Sequence, residues 1–174
     1  MGDPKKQKKK FSTPNHPWQK ERIEAEKEIL KQYGLRRKYE IWKMDSMLKD
    51  FLNRAKTLIA QRNPQSELEK KQLLQRLNSL GLLKKDSKVE DVLNLTLKDV
   101  MERRLQTLLI RKQLARTMKQ AREFITHEHV AIGERKVTAP SYLVTVSEEP
   151  GIRLVKALNL APQVAQEKKA EKAE

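Results

Sequence analysis

The chain contains no cysteine. Disulfides, thiolate nucleophiles and cysteine-ligated zinc are therefore ruled out. Only five of its 174 residues are glycine, and none belongs to a Gly-rich phosphate loop. A nucleophile elbow and a paired-carboxylate constellation are also missing. These residues support neither an enzyme nor a cofactor or small-molecule substrate. Aromatic residues make up 5% and hydrophobic residues 37%, too little for one well-packed globule of the whole chain. Nowhere do about 18 apolar residues follow one another, so no membrane-spanning helix is encoded. The charged N-terminus lacks the apolar stretch of a secretory leader. The expectation is a soluble, cytoplasmic protein of one domain or two small ones.

What the chain has in excess is positive charge. Lys and Arg number 38 against 23 acidic residues, for a formal net charge of +15 and a pI near 10.0. Such an imbalance predicts an anionic partner. It is densest between Arg103 and Arg122, which include seven basic residues (Arg103, Arg104, Arg111, Lys112, Arg116, Lys119, Arg122) and no acidic one. Apolar residues recur at helical spacing through the same stretch. Leu97, Met101, Leu105, Leu108 and Leu109 share a face of one helix, and Met118, Ala121 and Ile125 a face of a second. Each helix can bury one side and show a positive side to a polyanion.

Beyond the second helix the period changes to two. Val130 and Ile132 alternate, Gly133-Glu134 forms a hairpin turn, and Val137 lies opposite Val130. Pro140 ends the ladder, and Tyr142, Val144 and Val146 read as a third strand. His127 and His129 flank Glu128 at the helix-to-strand junction. Two ligands do not make a metal site, so a helix cap, an RNA contact or plain surface remain for them.

The flanking segments are simpler. Residues 1–18 form a basic arm in which five of the six residues from Lys5 to Lys10 are lysine and Pro4, Pro14 and Pro17 block helix. Phe11 and Trp18 bracket it and can stack on a base or sit in a protein groove. Residues 19–101 read as helical. A first helix runs from Gln19 to Tyr33 with Gly34 as its stop. A second runs from about Leu35 to Gln61, with Tyr39, Trp42, Leu48, Phe51, Leu52, Ala55 and Ile59 apolar and Arg36 and Arg37 at its start. A capping box of Ser66 with Glu69 starts a third helix, which Gly81 ends. Val89, Val92 and Leu93 suggest a short helical turn. Thr96 with Asp99 and Thr117 with Gln120 are further caps. The helix-face acidic residues, Glu26 among them, read as surface pairs with lysines. Residues 148–160 are a return segment that packs on a helical neighbour, and 161–174 a flexible tail.

The order of residues from 102 to 147 resembles the S4 RNA-binding domain. The likeness is carried by Arg104 and Leu105 opening the first helix, by Arg116, Ala121, Arg122 and Ile125 across the second, and by Val130, Ile132, Gly133, Val137 and Pro140 at the hairpin. The family usually has Gly where this chain has Glu128, and often Asp where it has Gln106. The rest resembles the archaeal and eukaryotic-type form of the small-subunit ribosomal protein family to which that domain belongs, on the strings MGDPKKQKKKF, HPWQKERIEAEKEILKQYGLRRKYEIWKM and GERKVTAPSYLV. The resemblance implies an α+β fold, mostly helical, with a helical N-terminal half, an S4-type αα-β-hairpin RNA-binding module and extended tails. It implies a structural constituent of the small ribosomal subunit that binds ribosomal RNA at a 5′-domain junction, nucleates assembly of the subunit body, bears on translational accuracy and touches ribosomal protein five of the small subunit (uS5). The alternatives are an S4-domain factor acting transiently in ribosome assembly or rescue, or a fragment of an RNA-modifying enzyme.

On this reading the candidate RNA contacts fall in four groups. They are the arm (Lys5, Lys6, Lys8, Lys9, Lys10), the pair Arg36 and Arg37, the seven cations of 103–122, and the hairpin cations Arg135 and Lys136. Reversing Arg104 and Arg122 to Glu is expected to cost far more RNA affinity than reversing Lys168 and Lys169, as measured by filter binding. Equal losses would mean that net charge alone decides.

Overall fold

The computed structural model describes residues 2, 9–61 and 63–155. Lys5, Lys6 and Lys8 of the arm, and the segment from 156 onward with Lys168 and Lys169, lie outside the described residues. Among the described residues no helix is long and apolar enough to cross a membrane.

The N-terminal half is three helices and a short 3-10 segment. Helix α1 (Lys20–Gln32) ends where Gly34 takes φ +56°. Helix α2 (Lys38–Ala60) buries Glu40, Ile41, Met44, Leu48, Phe51, Ala55 and Leu58, a stripe that advances three or four residues at a time. The sequence expectation had this face one residue out of phase at both ends, since Tyr39 and Ile59 are exposed. Helix α3 (Pro64–Ser79) starts earlier than the capping box predicts, with Pro64 in its first turn and Asn63 as N-cap. Proline suits that position because the first turn leaves its N–H unused anyway. Ser66 thus lies inside the helix, where its Oγ donates back to the Asn63 and Gln61 carbonyls. A 3-10 turn over Val89–Asn94 then buries Val92 against α2 and α3 beside Phe51, Ala55, Leu73 and Leu77.

The first helix of the module is broken. Helix α4 (Leu97–Glu102) stops, Arg104 is extended at φ −71°, ψ 142°, and α5 (Leu105–Arg111) begins anew. The capping pair is present at the start of α4, where Thr96 donates to the Asp99 carboxylate from both N–H and Oγ. At the break the backbone turns to a strand-like partner. Leu105 N–H donates to Tyr142 O and Val144 N–H to Arg103 O, and Arg104 bridges antiparallel to Leu143. The segment expected as a third sheet strand is therefore spent on the helix break. Helix α6 (Met118–Thr126) follows, with Thr117 Oγ accepting from Gln120 N–H.

The sheet has strand order β2-β1-β3. Strands β1 (Val130–Ile132) and β2 (Arg135–Lys136) form the hairpin, with Ile132 opposite Arg135, Gly133 at φ +61°, and Val137 N–H donating to Val130 O. Strand β3 (Ile152–Leu154) pairs antiparallel on the other edge of β1, Ile152 opposite Ile132. The return segment thus adds a strand instead of packing on a helix. The free edge of β1 still needed hydrogen-bond partners, and the turn at Glu149–Gly151 delivers Ile152 to it. Leu105, Leu108, Leu109, Ala121, Ile125, Val130, Val144 and Ile152 form the module's core. A second core, of Tyr33, Met44, Leu48, Val100 and Met101, joins the halves.

Two left-handed positions make opposite predictions. A Cβ on Gly34 would lie 2.6 Å from Met118 Cβ, closer than atoms can pack, so the α1–α2 turn lies directly against the start of α6. Glu128 also has a positive φ of 60° as α6 ends with His129 N–H donating to Phe124 O; this is a six-residue cap that favours glycine. Gly34→Ala is expected to destabilise by at least ~2 kcal/mol, from backbone strain plus overpacking. Glu128→Gly is expected to stabilise by up to ~1 kcal/mol. Urea denaturation followed by circular dichroism reads both, and a destabilised Glu128→Gly would show that the side chain matters more than the backbone.

Candidate nucleic-acid interface

The basic cluster divides into cations that hold the protein together and cations that face outward. Arg104 belongs to the first kind. It is only 1% exposed, because the helix break turns it inward against α2. There its Nη2 meets Glu40 Oε2 at 3.0 Å. Arg122, from α6, meets the same carboxylate at 3.1 Å through Nη2 and 3.3 Å through Nη1. The Arg36 N–H completes the set at 3.3 Å. One buried carboxylate therefore ties α2, α5, α6 and the α1–α2 turn. Burial pushes the Glu40 carboxyl up, but the Arg122 hydrogen bond and charge, the Arg104 charge and the Arg36 N–H outweigh it and hold the group below its usual value.

Arg103 is also buried. Its Nη1 pairs with Glu149 at 2.9 Å and its Nη2 donates to Val144 O at 3.1 Å. Lys112 donates to the Glu149 backbone carbonyl. Arg103 and Lys112 thus fasten the loop that leads into β3. Glu148 holds the same loop by accepting from Tyr142 OH at 2.8 Å and from Thr145 N–H and Oγ. The expectation that all seven cations face a ligand is corrected at Arg103 and Arg104. The stretch 103–122 has no internal counter-charge, and the fold supplies one to each of these residues from a distant segment.

The remaining candidates lie at or near the surface. Arg111, Arg116 and Lys119 are exposed, and Arg122 is half-buried. Arg111 pairs with Glu102 at 2.6 Å in the open, where such pairs are worth little. Arg36 and Arg37 are exposed, and Arg36 and Arg122 meet on one Glu40 oxygen. The α1–α2 turn therefore sets its two arginines beside α6. Arg135 and Lys136 project from the hairpin with only long pairs of 3.9 Å to Glu148 and Glu128. Lys9 and Lys10 lie on the described part of the arm, Lys9 with its ammonium 4.7 Å from the Phe11 ring centre. Phe11 occupies a protein groove against Tyr39 and Trp42, while Trp18 is 90% exposed. His127 is the C-cap residue of α6. Among the described residues no group of three His, Cys, Asp or Glu side chains is placed to hold a metal.

Two buried acids escaped the sequence reading, and each carried a signal. Glu40 falls in phase with Met44, Leu48, Phe51 and Ala55 on the buried stripe of α2, which marks it as an inward charge needing a partner. Glu26, expected on the surface, is buried and meets Arg22, Lys38 and Trp42 Nε1. Trp42 reaches Glu26 from α2, its indole N–H donating at 2.9 Å.

This arrangement of α5, α6 and hairpin defines an S4 domain, and the family model of that description matches residues 103–149. Across the longer chain, the Small ribosomal subunit protein uS4 of Methanococcus aeolicus is 47% identical over 153 residues, covering 87% of this chain and 86% of its own. The uS4 proteins of Hyperthermus butylicus and Saccharolobus solfataricus are each 49% identical, over 86% of this chain and 85% and 83% of theirs. The chain belongs to the uS4 family, whose members are structural proteins of the ribosome and not enzymes.

Because Arg104 is internal, reversing it tests folding before binding. Glu40→Gln leaves Arg104 buried without its counter-charge and is expected to cost about 3–5 kcal/mol. The pH dependence has a definite sign. With the folded carboxyl held below its unfolded value, Glu40 contributes fully above the usual glutamate range, and its contribution is lost as pH falls through the folded pKa. Denaturation midpoints from pH 7 to pH 3 should fall less steeply for Glu40→Gln than for the parent; parallel curves would remove Glu40 from the account.

Proposed function

We propose that this protein is a structural constituent of the small ribosomal subunit and binds its RNA directly through the outward cations of α5, α6, the hairpin and the α1–α2 turn. The observation that carries this reading is the membership of the uS4 family, joined to a surface on which Arg116, Lys119, Arg36, Arg37, Arg135 and Lys136 stand exposed around one module. The mechanism is electrostatic. Cations on rigid helices displace counterions from closely spaced phosphates of a folded RNA, and selectivity follows from how a shaped junction fits the spacing of those cations. Arg103, Arg104 and Lys112 contribute by holding the module in shape. The arm lysines Lys5, Lys6, Lys8, Lys9 and Lys10 add further cations for RNA phosphates.

The finer role follows from the same reading. A protein that clamps a junction of the 5′ domain fixes the relative directions of its helices, so it acts early in assembly of the subunit body. Contact with uS5 and an influence on decoding accuracy belong to this proposal, as does residence in cytoplasmic small subunits. As a resident component, the protein stays with small subunits when extract is sedimented in high salt; a transient assembly or rescue factor strips off.

Arg116→Glu with Lys119→Glu is expected to weaken binding to a small-subunit RNA transcript by on the order of tenfold or more at moderate salt. The stability should change little, because both residues are exposed. Filter binding against salt, with a denaturation curve as control, measures both. Unchanged affinity in a folded variant would remove α6 from the interface.

A further inference from the structure

A cavity of about 280 Å³ lies where α2 meets the module. Helix α2 contributes Tyr39, Glu40 and Lys43, the helix break Arg104, and α6 Arg122. The turn closed by Tyr142 N–H on Ala139 O adds Ser141. The volume falls just short of the ~300–1,000 Å³ of sites for drug-sized ligands, so only a small ligand fits.

Three cations line this space against one carboxylate. Both Glu40 oxygens are already engaged, Oε2 by Arg104 and Oε1 by Arg122 and the Arg36 N–H. The cations are less fully paired. Arg104 reaches Glu40 through Nη2, while its Nη1 is buried with no hydrogen-bond partner. Lys43 is half-buried, and no carboxylate pairs with it among the described residues. An ammonium and two guanidiniums around one carboxylate leave two positive charges unbalanced among the lining residues, at a cost in self-repulsion. A buried donor without a partner adds its own desolvation penalty. A ligand with two negative charges and several acceptor oxygens offsets both deficits. The hydroxyls of Tyr39 and Ser141 line the same space and can donate to such oxygens.

We propose that this cavity is a site for one phosphate dianion, taken as free orthophosphate or as the end group of a phosphomonoester. The site is a property of the protein alone and does not rest on the RNA-binding reading above. Lys43 and Arg122 bind the phosphate oxygens from α2 and α6, and Arg104 adds its buried charge from the helix break. The anion becomes a second counter-charge beside Glu40, so its binding stabilises the joint between α2 and the module. A phosphodiester suits the cavity less well. It carries a single negative charge, two of its four oxygens are esterified, and the chain on either side would have to enter and leave a space with room for little more than the head group.

The test uses the full chain with millimolar orthophosphate, glycerol phosphate or dimethyl phosphate, each compared with potassium chloride at equal ionic strength. Orthophosphate, glycerol phosphate or both are expected to raise the melting temperature and to bind saturably by calorimetry, and the two arms show which source of phosphate the cavity takes. Lys43→Gln is expected to weaken that binding by about tenfold or more. Lys49→Gln, whose ammonium pairs with Asp45 outside the cavity, leaves it unchanged. Glu40→Gln frees the two guanidiniums and is expected to enlarge the phosphate-induced rise in melting temperature; a rise no larger than the parent's overturns the shared counter-charge. Should Glu40→Gln fail to fold, the comparison of Lys43→Gln with Lys49→Gln decides. Equal losses in those two variants mean that ions gather on the positive surface at large, and the site falls. Dimethyl phosphate bound as tightly as orthophosphate means that the cavity reads a diester such as an RNA backbone, and the proposal falls. Absence of saturable binding by any of the three also overturns it.

Discussion

A single carboxylate between two guanidiniums sets the relation of the two halves. Glu40 lies on the buried stripe of α2 and receives Arg104 from α5 and Arg122 from α6. Taking such charges out of water is costly, and mutual attraction offsets that cost only when the geometry is good. The consequence is selectivity more than strength. An apolar contact at this junction would tolerate sliding of α2 against the module, whereas an ion pair with fixed hydrogen bonds does not. The core of Tyr33, Met44, Leu48, Val100 and Met101 supplies the apolar burial, and Glu40 selects the arrangement in which it is buried.

This constraint explains why the densest run of positive charge divides in two. Arg103 and Arg104 follow one another, yet neither faces solvent, because the helix breaks there to hydrogen-bond with the Tyr142–Val144 segment. The break points Arg104 at α2 and Arg103 at Glu149. Downstream, α6 carries Arg122 inward and Lys119 outward, and Arg116 is exposed just before its N-cap. The inner cations keep a rigid platform, and the outer ones stand at its surface. Rigidity matters for recognising a folded polyanion, since cations whose spacing is fixed can match phosphates whose spacing is fixed. Gly34 contributes to the same platform by letting the α1–α2 turn, with Arg36 and Arg37, lie against α6.

Much of the local structure was legible. The stops at Gly34 and Gly81, the caps at Thr96 and Thr117, the turn at Gly133 and the Val130–Val137 register all rest on interactions within a few residues. So does the family resemblance. The misreadings share a different cause. The third strand was assigned to Tyr142–Val146 because the alternation there is regular, while the sheet took Ile152–Leu154, whose alternation is too short to stand out. Arg103 and Arg104 were read as outward because no acid is near them in sequence. The same local view left Glu26 on the surface.

By itself the amino-acid order determined that the chain is basic, mostly helical, free of thiol chemistry and built around a two-helix and hairpin unit. Those properties depend on composition, on periodicity and on turn residues, each of which acts over a few positions. Only the tertiary structure decided which cations are spent internally. Glu40 meets Arg104 across 64 residues and Arg122 across 82. Charge attraction is blind to sequence distance, so the pairing could be settled only once packing had brought one carboxylate, and not its many exposed neighbours, into the closed space beside the helix break.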